Sequence, residues 1–224
     1  MTVLAALIPV GVVGLVVWVV LLLTRRGSTF TLATAASLYA AWMTIAGATM
    51  TLVGVALGIK LLFAQVNQAW AYFLPQTTGC PAGAPIQKCI QSGADVTVTG
   101  GPDVNSLMRS DLVLAIVLLV IGLAVLGFHY ALSRAVRGQP GGDNPIVVRG
   151  TLVAFTVLYG LAGLVSLAAG LYGVLNYALA PAGANPSPFA DSVGAAIAFA
   201  PPWAYAALRL LRATRPAAPM PAPA

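Results

Sequence analysis

From Gly27 to Ile59 the chain carries not one charged side chain. A helix crosses the roughly 30 Å hydrocarbon core of a bilayer with about 20 apolar residues. A run this long, free of charge, has few other uses. Comparable runs recur. One extends from Met1 to Thr24 and is closed by Arg25-Arg26; the others lie between Asp111 and Arg134, Arg149 and Asp191, and Asp191 and Arg209. Each admits one spanning helix, and the run after Arg149 also leaves room for a loop. The pattern predicts five spans, over about 4–24, 33–64, 110–134, 149–180 and 191–212. The fifth contains Pro201-Pro202, which removes backbone donors and favours a kink.

Composition agrees. Charged residues make up 7% of the chain, against about 25% in soluble domains. Hydrophobic residues make up 59%, and the mean hydropathy is +0.92. So few charges do not cover the surface of a soluble fold, which excludes a cytosolic enzyme. The apolar runs are continuous and do not alternate with period two, which disfavours a β-barrel. The expected fold is an all-α membrane protein. An N-terminal anchor occupies 1–26, a four-helix domain of two helix pairs occupies 27–212, and a disordered Pro/Ala tail occupies 213–224.

The first segment has no basic residue before its apolar stretch and no small-residue cleavage site after it, so a retained anchor is expected over a cleaved signal. With Arg25 and Arg26 in the cytoplasm, Arg134, Arg137, Arg149, Arg209, Arg212 and Arg215 also fall inside, and only Lys60, Lys88 and Arg109 fall outside. This arrangement obeys the positive-inside bias. It sets the N-terminus outside and the C-terminus inside a bacterial cytoplasmic membrane. The long segment 65–109 is then outside, where disulfides persist. Its cysteines, Cys80 and Cys89, are expected to pair. Free thiols are the alternative, and zinc is disfavoured because the segment has no His. Gln65 to Phe73, with Trp70 and Tyr72, reads as an interfacial belt. Val96-Thr-Val98 reads as a short β-like run.

Segments 38–64 and 153–179 align as a diverged repeat, with Thr51 on Ser166 and Gly58 on Gly173. Each is followed by an outside loop and a helix expected to open on Asp, at Asp111 and Asp191. Phe128-His-Tyr-Ala-Leu-Ser-Arg134 then matches Trp203-Ala-Tyr-Ala-Ala-Leu-Arg209. Both copies run in the same sense, so the repeats are parallel. The step Phe128-His129-Tyr130 through Arg134 resembles a bacterial membrane-domain family of unknown function built from transmembrane helix pairs. That resemblance covers about 30–211. It implies that the step forms the inner end of a span, and it implies no activity.

Small residues lie at helical spacing: Gly54 and Gly58 in a GxxxG step extended by Gly47 and Thr51, then Gly160, Gly163, Ser166, Gly170 and Gly173. They let helices approach closely, either within one bundle or against a partner subunit. Lys60 lies just inside the predicted limit of its span. It can snorkel to the headgroups or pair with Asp111 or Asp191 in an outer polar cluster completed by Asn176 and Asn67. The carboxylates have a second use as helix N-terminal charges. His129 is the only histidine; an interfacial position is expected, because a bis-His haem needs two. No phosphate-binding loop, HExxH motif or reachable Ser–His pair is present. No cofactor or metal is expected. The net charge of +6 reads as topology and contact with anionic lipid, not nucleic acid. The expected role is a non-enzymatic scaffold, accessory subunit or assembly protein. A small transporter or channel between the helix pairs is the alternative.

Overall fold

The computed structural model describes residues 32–72, 76–78, 97–99, 103–138, 145–181 and 187–214. The predicted first span, Cys80, Cys89 and the end of the tail lie outside these residues. The order is α1 (Leu32–Val66), α2 (Gln68–Ala71), β1 (Gln76–Thr78), β2 (Thr97–Thr99), α3 (Val104–Arg137), α4 (Pro145–Leu179) and α5 (Ala190–Thr214). The strands pair antiparallel, Gln76 with Thr99 and Thr78 with Thr97, so the β-like run sits one residue later than expected.

Three helices, α1, α3 and α4, are long and apolar enough to cross a membrane. Of the five spans expected, the first lies outside the described residues, and three of the other four meet this requirement. α5 is a continuous helix, with Pro201 and Pro202 inside it, but is not among the three. α3 is the clearest membrane element. Only 17% of its apolar window is buried, and Val113, Val120 and Leu123 are exposed. An apolar helix with so little protein cover calls for lipid as its solvent. Hydroxyls inside these helices fold back on the preceding turn, as Thr44 Oγ1 donates to Ala40 O at 2.7 Å and Thr156 Oγ1 to Leu152 O at 2.8 Å. Each such bond spares a hydroxyl from facing hydrocarbon without a partner.

α3 begins well before the expected residue 110. Asp103 is the reason: its carboxylate accepts from Asn105 N–H, and its carbonyl from Ser106 and Leu107 N–H. That is an N-cap, and it places Asp111 two turns inside the helix, not at its opening. α4 begins at Pro145, ahead of the expected 149; proline suits a first helical turn.

The helices divide into two compact units, 1–49 with 122–163 and 199–224, and 50–121 with 164–198. In the first unit a Cβ on Gly47 would lie 2.6 Å from the backbone N of Leu126, and one on Gly160 would lie 2.6 Å from Trp203 Nε1. Tyr159 fills the space beside them at 2% exposure; its hydroxyl lies 3.3 Å from both Thr49 Oγ1 and Ile45 O. In the second unit Gly54 meets Ala115 O and Leu119, Gly170 meets Val193, Gly173 meets Phe189, and Gly194 meets Ala56 O.

These contacts bear on the repeat. Carried through its alignment, the facing pair Gly47–Leu126 becomes Ala162–Pro201. That position falls between the observed facing pairs Gly160–Trp203 and Gly163–Ala200. Gly54–Leu119 likewise becomes Ala169–Gly194, the neighbour of the observed Gly170–Val193. As one helix advances by a residue its partner retreats by one, so α1 with α3 and α4 with α5 cross in the same antiparallel register. Chance likeness between apolar helices gives no reason for that agreement.

Candidate functional site

The second unit gathers charge. Lys60 lies near the end of α1, and the chain then turns sharply. Asn67, extended, accepts Ala69 N–H on its side chain at 3.0 Å and so caps the single turn of α2. Tyr72 follows directly, its N–H bonded to Gln68 O. This reversal lays the Tyr72 ring over the Lys60 ammonium, 4.5 Å from centroid to Nζ.

The ammonium meets two carboxylates. Lys60 Nζ is 2.9 Å from Asp111 Oδ2 on α3 and 3.2 Å from Asp191 Oδ1 in the first turn of α5. Asp111 Oδ2 also accepts the Tyr72 hydroxyl at 2.8 Å. An ammonium has three hydrogens. Around this one lie two carboxylate oxygens and one aromatic face, all from this chain. Lys60 is 8% exposed, so a snorkelling side chain is not what forms. Burial, and then the hydrogen bond to Asp111, hold the Tyr72 phenol well above its ordinary range, so it remains a donor. The two carboxylates differ: the Asp111 side chain is 21% exposed and that of Asp191 63%.

An apolar floor supports the cluster. Ala64, Ala71, Tyr72 and Ala190 are buried together, with Phe63, Leu107 and Met108 packed on them. Beside it Phe63, Trp70, Tyr177 and Phe189 meet at ring-centroid distances of 5.7–6.4 Å, mostly edge to face. Phe189 N–H donates to Trp70 O at 2.9 Å, tying the start of α5 to α2.

The structure thus brings together Lys60, Asp111 and Asp191. Asn176 is exposed and stands outside these contacts, and Asn67 Nδ2 donates to Tyr177 OH instead. Of the small residues, Gly54, Gly163, Gly170 and Gly173 face a neighbouring helix and Ser166 is buried. Gly58 has open space among the described residues. Only one member of the GxxxG step therefore packs. His129 is covered by protein. It is 5% exposed in the first unit, with Nδ1 2.8 Å from Val125 O and Nε2 3.4 Å from Tyr39 OH. A carbonyl only accepts, so Nδ1 carries a hydrogen.

Sequence reasoning missed Tyr72, because Trp70-Ala-Tyr72 reads as interfacial aromatics. The available signal was Asn67, a helix-capping residue directly after a predicted span. It missed Gly194 because that glycine has no partner at fixed spacing.

Among known proteins, a domain of unknown function (DUF5671) matches residues 86–204, more than half of the chain. The chain belongs to this DUF5671 family. The match takes in α3, α4 and most of α5, and so is shorter than the expected 30–211; α1 lies outside it. Asp111 and Asp191 fall inside the DUF5671 region, Lys60 and Tyr72 before it. No curated protein and no solved structure matches the chain.

Proposed function

We propose that the protein is a non-enzymatic integral membrane scaffold, accessory subunit or assembly factor, and that the Lys60 cluster is a structural lock and not a ligand site. One observation carries this reading: the buried ammonium lies against two carboxylates, at 2.9 and 3.2 Å, and an aromatic face at 4.5 Å, all from this chain. A charge that serves a substrate keeps a donor or an acceptor free for it. This one instead joins α1, α3, α5 and the turn at Tyr72, and α5, which carries prolines and is the least apolar of the long helices, gains an anchor from it. In partly buried surroundings an ion pair with its hydrogen bonds made holds elements in register, whereas a half-pair is costly.

The same arrangement weighs against transport. A solute path calls for polar groups free to exchange partners near mid-membrane. Lys60 was the sequence's best candidate, and its bonds are internal. In this reading α5 also spans, as does the segment 4–24, giving five spans in a bacterial cytoplasmic membrane with the N-terminus outside and the C-terminus inside. The segment 65–109 is outside, braced by β1–β2 and by a Cys80–Cys89 disulfide, and offers a surface to partner subunits. Affinity purification of the full chain in mild detergent tests the role. A stoichiometric co-purifying membrane complex is expected. A lone protein that moves a solute across liposomes would replace this reading with the transporter.

A further inference from the structure

The first unit has arginines and, among its described residues, no carboxylate: Asp103, Asp111 and Asp191 all belong to the second. Two of these arginines are arranged alike. The Arg134 guanidinium lies over the Tyr130 ring at 5.9 Å, and that of Arg209 lies over the Tyr205 ring at 5.3 Å. Each pair is one helical turn apart, near the end of its helix, and the repeat alignment sets Tyr130 on Tyr205 and Arg134 on Arg209. Tyr130 is 55% exposed, Tyr205 59%, and both arginines are exposed.

We propose that Tyr130–Arg134 and Tyr205–Arg209 are two matched stations, each holding the phosphate of one anionic phospholipid. A guanidinium stacked on a ring keeps its edge N–H groups free and already oriented. That edge is a planar fork that fits two phosphate oxygens. The ring restricts the long side chain before the ligand arrives, so less freedom is lost on binding. The charge needs an anion, and the described part of the unit offers none. The surroundings select lipid over free phosphate: Leu123, 56% exposed, lies two turns before Tyr130 on the same helix face, and Leu208, 54% exposed, lies three residues after Tyr205. Acyl chains cover such residues, whereas a free phosphate has no use for them. Tyrosine rings at headgroup depth fit the same placement.

The test is native mass spectrometry of the delipidated full chain in detergent, titrated separately with phosphatidylglycerol, phosphatidylcholine and inorganic phosphate. Two phosphatidylglycerols should be retained where phosphatidylcholine is not. Arg134→Gln or Arg209→Gln should each remove one, weakening that station about tenfold or more, and the double variant should remove both. Unaltered thermal unfolding of these surface variants shows that the fold persists. Should a variant misfold, Tyr130→Ala with Tyr205→Ala supplies the second reading, with both lipids held more weakly. Retention of both lipids by the arginine double variant, or equal retention of phosphatidylcholine, would overturn the proposal. So would displacement by millimolar inorganic phosphate, which would assign the stations to a soluble anion.

Discussion

Lys60 is the residue whose loss reaches furthest. Lys60→Ala leaves Asp111 and Asp191 facing each other without a cation. The expected cost is about 2–4 kcal/mol, below the full penalty for a buried pair because Asp191 is largely exposed. Thermal unfolding in detergent measures it, and a loss under about 0.5 kcal/mol would remove the lock. The carboxylates should rank by burial, with Asp111→Asn costing more than Asp191→Asn. Tyr72→Phe deletes one hydrogen bond to a charged group, at about 1.5–3 kcal/mol. Its pH dependence has a definite sign. The folded phenol lies above its unfolded value of about 10. The stability it contributes is therefore fully present below pH ~10 and is lost as pH rises through the folded value. The difference between wild type and Tyr72→Phe should stay flat from about pH 6 to 9 and shrink only in stronger alkali. A gap that closes near neutrality would contradict the hydrogen bond.

At the level of elements, helix existence was legible wherever an apolar run exceeded one bilayer thickness. α1 was placed nearly to the residue, because Lys60 and the aromatic turn mark its limit. Both errors at helix starts have one cause. Charge bounds an apolar window, but capping bounds a helix, and Asp103 and Pro145 lie in polar stretches where a hydropathy reading sees only loop. The candidate site was legible as residue types at matched ends of spans. Tyr72 was not, since its role depends on a backbone reversal and not on spacing. The glycines separate in the same way. Gly47→Ala drives a Cβ against backbone that has no freedom to yield, and should cost about 1–3 kcal/mol. Gly58→Ala meets open space and should be neutral or slightly stabilising, as expected for a helical glycine with room for a methyl group. Paired melting curves check both, and the reverse order would mean that the helices cross elsewhere.

For the whole molecule the decisive quantity is which side of the bilayer each connection faces. Reporter fusions within 65–109 and after Thr214 should report opposite sides, and Cys80 and Cys89 should resist thiol labelling on intact cells until reduced. A cytosolic signal from 65–109 would reverse the proposed topology and leave the cysteines in a reducing compartment. Three helices meet the requirement for crossing by length and apolarity, whereas α5 depends on its neighbours, since Pro201 and Pro202 leave carbonyls in the preceding turn without their usual donors. The shared crossing register of the two helix pairs carries a further consequence. Each pair repeats the same crossing, and only the short connection between Arg137 and Pro145 joins them covalently, while Lys60 and Asp191 join them by charge. Severed there and co-expressed, the two fragments should find each other within the bilayer and co-purify in mild detergent as the parent fold.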